Sequence, residues 1–174
     1  PKKLTKKFLL EVANSIYNPK TGAFMKLCDG VICTVDRKTK KTLHCGIGEL
    51  YFQLTCEHPE YLTATSAASF IVGRSTFGTS PVRLSKREQT QFSATEKLVS
   101  GFARSDLRTA LLEELNETKN TVIANRESWR QLRRSNFHDE IISIADENDR
   151  NVSYKVRAQH VAAQMRKAAL LLLK

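Results

Sequence analysis

The chain has 174 residues, of which 41% are hydrophobic and 26% charged, as expected of a folded soluble protein. Its 28 Lys and Arg exceed its 18 Asp and Glu and give a net charge of +10, which favours anionic partners. No run of about eighteen apolar residues occurs, so the sequence predicts no transmembrane helix and no membrane partner. The basic N-terminus lacks the small-residue cleavage site of a signal peptide, and we therefore expect a cytoplasmic protein.

Residues 4–17 have the apolar spacing of an amphipathic helix. Leu4, Phe8, Val12 and Ile16 fall within one arc of a helical wheel. The segment NPKTG, residues 18–22, follows with Pro and Gly and ends the helix. We expect this helix to cover one face of the elements that come next.

An antiparallel β-meander is predicted for residues 23–55. Asp29 and Gly30 lie between two apolar runs, which is the strongest short signal for a hairpin. A second turn is predicted at DRKTKK, residues 36–41, after which TLHCGI returns as a third strand. The fourth strand is predicted at ELYFQLT, residues 49–55. Residues 1–62 would then form a unit of one helix and a meander.

Four cysteines lie in the first third of the chain, with His44 and His58 near them. The cysteines are Cys28, Cys33, Cys45 and Cys56. Their spacings match no zinc-finger or zinc-ribbon pattern, so we expect reduced thiols on strands, no bound metal and no cofactor. A structural zinc site is the less favoured alternative.

The second half of the chain is predicted to be helical. Residues 63–85 form a connection rich in Ser, Thr and Gly, and residues 86–174 form a helical unit, which can also pack with the first unit as one compact domain. A capping-box pair, Ser93 and Glu96, indicates the start of the helical bundle at about residue 93. The predicted fold class is therefore α+β: an N-terminal helix with an antiparallel meander at about 23–55, followed by a helical bundle at about 93–174.

An arginine-rich stripe is predicted on one helix of this bundle. Arg126, Arg130, Arg133 and Arg134 are offset by 0, 4, 7 and 8 residues and span an arc of roughly 100°. They lie beside an apolar stripe, predicted to be buried, that is formed by Val122, Trp129 and Leu132. The arrangement fits a helix that docks on a phosphate backbone, and it equally fits a solvated helix face.

The segment LNETKNTV, Leu115 to Val122, resembles the turn of a helix-turn-helix. Upstream, LSKREQ (residues 84–89) resembles the opening of the DNA-binding domain of LuxR-type regulators. The resemblance implies a helix-turn-helix around residues 106–134, with DNA contacts made at a helix N-terminus by Thr118, Lys119, Asn120 and Thr121. It also implies that Arg126, Arg130 and Arg133 lie along the groove or the adjacent phosphates. The sequence departs from the family pattern in its longer spacing between the two segments, at Leu112 and at Arg126.

Catalysis is not indicated by the sequence. His44 and Cys45 are neighbours on a predicted strand, so their side chains would point to opposite faces and could not form a nucleophile–base pair. Gly46-Ile47-Gly48 is only a fragment of a phosphate-binding loop. We favour a protein that is not an enzyme, and an active site of unfamiliar type stays open as the alternative.

Two further features concern partners. The predicted hairpin tip carries Arg37, Lys38, Lys40 and Lys41, which would help bind an anion or would only keep the hairpin soluble. The C-terminal run MRKAALLLLK predicts a homodimer contact on a last helix at residues 151–174, made by residues 170–173 and by the alanines before them. The sequence therefore favours a nucleic-acid-binding regulatory protein whose target is duplex DNA. The alternative is a protein-interaction factor, such as an adaptor, an inhibitor or an immunity-type protein, that binds an acidic protein.

Overall fold

The computed structural model describes residues 2–77 and 81–172. In chain order its elements are α1 (Lys6–Ile16), β1 (Cys33–Val35), β2 (Thr42–His44), α2 (Gly46–Thr55), α3 (Ala64–Gly73), α4 (Lys86–Ser100), α5 (Ser105–Asn148) and α6 (Tyr154–Ala169). The predicted α+β class, with an N-terminal helix, an antiparallel sheet and then helices, is confirmed. Within the described ranges, no helix combines the length and the apolar character needed to cross a membrane.

The chain divides into two units according to its internal contacts. The first unit comprises Pro1–Thr79 with Arg133–Lys174, and the second unit comprises Ser80–Leu132. The segments predicted from the sequence, 1–62, 63–85 and 86–174, do not follow these limits. The reason is that α6 packs along α1 and so joins the two ends of the chain in one unit.

The first unit has its core around α1 and α6. Thr5 caps α1, and its hydroxyl accepts a hydrogen bond from the backbone N–H of Phe8 at 3.2 Å. The buried apolar side chains of the two helices are Leu9, Val12, Ala13, Ile16, Ala158, Val161, Ala162, Met165, Ala168 and Ala169. Each large side chain buried there contributes roughly 1.5–3 kcal/mol to folding. The amphipathic helix predicted at residues 4–17 is thus confirmed.

The predicted meander is reduced to one hairpin. Strands β1 and β2 pair antiparallel, with Cys33 opposite His44 and Val35 opposite Thr42. The turn predicted at residues 36–41 joins them and is confirmed. Asp29 and Gly30 do form a bend, and Gly30 has a positive φ of 69°, but the described residues around it form no ladder.

The fourth predicted strand is the helix α2. Its first residues include Gly46 and Gly48, which pack closely against their surroundings. A Cβ on Gly48 would lie 2.3 Å from the carbonyl oxygen of Ile32, and one on Gly46 would lie 2.6 Å from Cγ1 of Val161. Helical spacing also buries the apolar residues Ile47, Leu50 and Leu54. The expectation of a strand here was wrong, because a short apolar run fits a buried helix as well as a strand.

The second unit contains α4 and residues 105–132 of α5. A capping box opens α4: the Ser85 hydroxyl accepts from the Glu88 backbone N–H at 3.3 Å, and Glu88 accepts from the Ser85 backbone N–H at 2.8 Å. The predicted pair Ser93 and Glu96 lies inside α4 instead. Leu84 and Val99 are the buried apolar side chains among the described residues of this unit.

Candidate functional site

The predicted helix-turn-helix is not formed. Helix α5 continues without a break through Leu115–Val122, and the Thr118 hydroxyl donates to the carbonyl oxygen of Glu114 at 2.9 Å within the helix. The segment contains neither Gly nor Pro, the two residues that most strongly interrupt a helix.

The four predicted N-terminal contact residues therefore lie in the middle of a helix. Thr118, Asn120 and Thr121 are exposed, and Lys119 is half-buried. Free backbone N–H groups occur at the start of a helix, where they bind phosphate, and mid-helix N–H groups are already paired within the helix. Any contact of these four residues with nucleic acid would have to come from their side chains.

The arginines of the predicted stripe differ in their partners. Arg126 makes a bidentate ion pair with Glu88, whose Oε2 accepts from Nη1 at 2.7 Å and whose Oε1 accepts from Nη2. Hydrogen bonds from Arg126 and Ser85 lower the pKa of Glu88 to about 2. Arg130 donates to Glu127 at 2.8 Å. These two guanidinium groups already bind carboxylates.

Arg133 and Arg134 belong to the first unit, where Arg133 is exposed and Arg134 is half-buried. The apolar stripe expected beside the arginines is not buried. Trp129 is 64% exposed and Leu132 is 51% exposed, while Val122 is half-buried. The expectation of a packed stripe was therefore wrong.

The hairpin between β1 and β2 carries the most concentrated positive charge of the first unit. We call Arg37, Lys38, Lys40 and Lys41 the cationic tip, and all four side chains are exposed. The turn is organised by Asp36, whose Oδ1 accepts from the backbone N–H groups of Lys38 at 2.8 Å and Thr39 at 3.2 Å.

Asp36 is also the acidic residue nearest in sequence to these cations, and it is already paired. Its Oδ2 accepts from Nζ of Lys26 at 2.8 Å. The hydrogen bond from Lys26, with those from the turn, lowers the pKa of Asp36 to about 2. The carboxylate therefore stays ionised inside the turn, and its charge is offset by Lys26 rather than by the tip.

A second group of side chains lies at the base of the same hairpin. Cys33, His44 and His58, the Cys/His cluster, each place one ligand atom within 4.8 Å of the other two. Cys33 and His44 are cross-strand partners, so their side chains share one face of the hairpin. Cys56 ends α2 with a positive φ of 62°, and the chain that follows brings His58 back to His44.

Hydrogen bonds and ring stacking order this cluster. Nε2 of His44 lies 2.9 Å from Nδ1 of His58, and Nδ1 of His44 lies 2.8 Å from Oε2 of Glu49. Phe52 stacks on both imidazoles, with ring centroids 4.9 Å from His44 and 4.8 Å from His58. Burial acts to raise the pKa of Glu49, but the hydrogen bonds from His44 and Gln53 outweigh it and the pKa is lowered.

A cavity of about 410 Å³ adjoins the cluster and shares Cys33 with it. Its wall also includes Cys45, Glu60 and Asp149. Burial and the nearby Glu60 raise the pKa of the Cys33 thiol. The described cysteines are all free thiols, but only Cys33 lies on a strand, contrary to the expectation that the four would.

The Cys/His cluster is the arrangement that sequence reasoning did not find. His44 and His58 lie close to cysteines in the sequence, but His44 is 11 positions after Cys33 and His58 is 14 positions after His44, and these spacings fit no motif. The sequence held one usable signal, the polar turn at residues 36–41, because this turn sets which residues of β1 and β2 face one another.

No protein-family model, no curated protein and no solved structure matches the chain.

Proposed function

We propose that this protein is a non-enzymatic regulatory factor that binds nucleic acid, with duplex DNA as its target, and that the cationic tip makes the main phosphate contacts. The observation that supports the proposal is the tip itself. Four exposed cations lie within five consecutive positions, 37–41, on a turn that Asp36 holds in shape. Cations held by an ordered turn lose less conformational entropy on binding than cations on a free chain.

The distribution of charge also supports phosphate binding by the first unit. That unit has 19 Lys and Arg against 11 Asp and Glu, a net charge of +8, whereas the second unit has 9 against 7, a net charge of +2. A positive field of this kind attracts a polyanion before any contact forms.

The predicted residues of α5 take a secondary part in the proposal. Arg126 and Arg130 would have to exchange a carboxylate partner for a phosphate, which reduces the net gain from each contact. Arg133 is exposed, and no carboxylate within residues 2–77 and 81–172 forms an ion pair with it, so it has no such exchange to make. Phosphate contacts position a protein on a duplex but do not select a sequence.

A salt series tests the proposal. Each neutralised phosphate of duplex DNA contributes a slope of roughly −0.9 to the dependence of log K on log salt concentration. Replacing Arg37 and Lys38 by Ala should therefore weaken binding to all sequences about equally and make the slope shallower by roughly two units. Fluorescence anisotropy with a labelled duplex measures both quantities.

The matched control removes the same charge elsewhere in the first unit. Lys3 and Lys155 are exposed, and the double variant K3A/K155A should leave the slope nearly unchanged. Absence of duplex binding even at low salt would refute the proposal. Equal losses in the two double variants, or equal affinity for polyglutamate and DNA, would show that only net charge acts.

A protein-interaction factor is the second candidate, and the second unit supplies the observation that favours it. Trp129 and Leu132 are both more than half exposed on α5, and aromatic side chains are enriched at the centres of protein interfaces. The +10 charge would then meet an acidic protein. If the chain binds no duplex DNA even at low salt, the protein-interaction factor becomes the favoured candidate.

The proposal also includes a cytoplasmic location and a homodimer through the C-terminal residues. Leu170 is 74% exposed and Leu171 is 37% exposed, whereas Leu172 is buried in its own chain. Leu173 lies outside the described residues. The alanines expected in the contact, Ala168 and Ala169, are buried, which narrows the proposed contact to Leu170 and Leu171.

A further inference from the structure

We propose that Cys33, His44 and His58 bind one Zn²⁺ ion, and that Glu49 positions the His44 ring for it. Thiolate sulfur and imidazole nitrogen are the ligands that Zn²⁺ takes in proteins, whereas Ca²⁺ and Mg²⁺ take oxygen. The inference is independent of nucleic-acid binding. It reverses the expectation from sequence that no metal is bound.

The three ligand atoms lie near enough to one another to converge on one tetrahedral ion after a movement of the side chains. Zn–N bonds of roughly 2.0–2.1 Å and a Zn–S bond of roughly 2.3 Å place two ligand nitrogens about 3.3 Å apart and a sulfur and a nitrogen about 3.5 Å apart. The two imidazole nitrogens are 2.9 Å apart, and all three ligand atoms lie within 4.8 Å of one another. Because His58 is exposed, its side chain can make the small shift that is needed.

Glu49 prepares His44 as a ligand. The carboxylate accepts from Nδ1–H of His44, which leaves the lone pair of Nε2 directed at the cluster. Gln53 donates to the other oxygen of Glu49 at 2.8 Å and holds the carboxylate in place. A carboxylate on the outer nitrogen of a metal-binding histidine fixes the ring and raises its basicity. The charges also balance, because one thiolate and one carboxylate offset the two charges of the ion.

Three protein ligands leave a fourth position, which we assign to water. Cys33 lies both in the cluster and in the wall of the 410 Å³ cavity, so the ion would adjoin space that admits an exogenous ligand.

The ion would also join β1, β2 and the segment after α2. Strands of three residues form a marginal hairpin on their own, so zinc would stabilise it.

Metal analysis and Co²⁺ substitution test the site on the full chain. We expect one zinc per chain after purification from zinc-containing medium. After chelation, one equivalent of Co²⁺ should give the thiolate charge-transfer band and the intense visible bands of a four-coordinate site. Removal of the metal should also speed amide hydrogen exchange in residues 33–44, which a merely adventitious ion would not do.

Variants assign the ligands. Cys33→Ser should abolish the charge-transfer band, and Glu49→Gln should lower Co²⁺ affinity roughly 10- to 100-fold while keeping that band. Cys56→Ser is the matched control, since this exposed thiol is two residues from His58 and outside the cluster. Circular dichroism shows whether each variant folds. If Cys33→Ser does not fold, the presence or absence of the charge-transfer band in the Co²⁺ spectrum of the wild-type chain decides whether the site exists.

Two results would overturn the inference. The first is a wild-type chain that holds no zinc and gives no charge-transfer band with Co²⁺. The second is an equal loss of that band in Cys56→Ser and Cys33→Ser, which would show nonspecific binding by accessible thiols.

Discussion

Asn148 should be among the most sensitive polar positions of the fold. It ends α5 and is fully buried, its Oδ1 accepts from the Gly46 backbone N–H at 3.0 Å, and its Nδ2 donates to the Cys28 carbonyl oxygen at 2.8 Å. Asn148→Ala leaves both backbone groups without this partner. Each unsatisfied buried group costs roughly 1–3 kcal/mol, so we expect the free energy of unfolding to fall by roughly 2–6 kcal/mol.

Urea unfolding followed by circular dichroism measures this loss. Asn148→Asp is the diagnostic variant, because it keeps an acceptor for Gly46 but places a second acceptor against the Cys28 carbonyl oxygen, and we expect it also to be destabilising. Asn136→Ala, an exposed position on the same helix, is the control and should change stability by less than about 0.5 kcal/mol. A loss in Asn148→Ala no larger than in this control would refute the reasoning.

Three further outcomes are expected. The pKa of Asp36 is lowered from 3.8 to about 2, so the ionised carboxylate stabilises the fold above about pH 4 and this stabilisation is lost as the pH falls towards 2. Asp36→Asn should remove this part of the dependence of the unfolding free energy on pH. Trp129→Ala should cost less than about 1 kcal/mol and the fully buried Phe137→Ala roughly 3–5 kcal/mol in urea unfolding, and a reversed order would contradict the exposures. Leu170→Asp should shift sedimentation velocity from dimer to monomer, whereas a wild-type chain that stays monomeric at high concentration would exclude the contact.

Local patterns predicted the parts of the fold that depend on local chemistry. The spacing of Leu4, Phe8, Val12 and Ile16 predicted α1, and the polar segment 36–41 predicted the hairpin turn. The same kind of pattern led to a wrong prediction for residues 49–55, because a short run of apolar residues is compatible with a strand and with a buried helix. The first residue of α2, Gly46, packs closely against Val161, which is 115 positions away in the sequence. A contact over this distance leaves no local sequence signal.

The arginine stripe shows a second limit of sequence reasoning. Periodicity places Arg126 and Arg130 on one face of a helix, and both do lie on α5. It cannot show that Arg126 pairs with Glu88, which lies 38 residues earlier. An arginine with a bidentate carboxylate partner and an arginine open to solvent look alike in a sequence, yet only the second binds phosphate without first giving up a partner.

The Cys/His cluster depends on two chain reversals that no motif describes. The turn at residues 36–41 sets the register that places Cys33 opposite His44, and a shift of one residue would move one of these side chains to the other face. The left-handed residue Cys56 then returns the chain so that His58 meets His44. The paired ligands of a zinc finger have short fixed spacings because each pair lies on one local turn. Ligands supplied by a ladder and a helix end can have any spacing, so the donor set becomes visible only when the register is known.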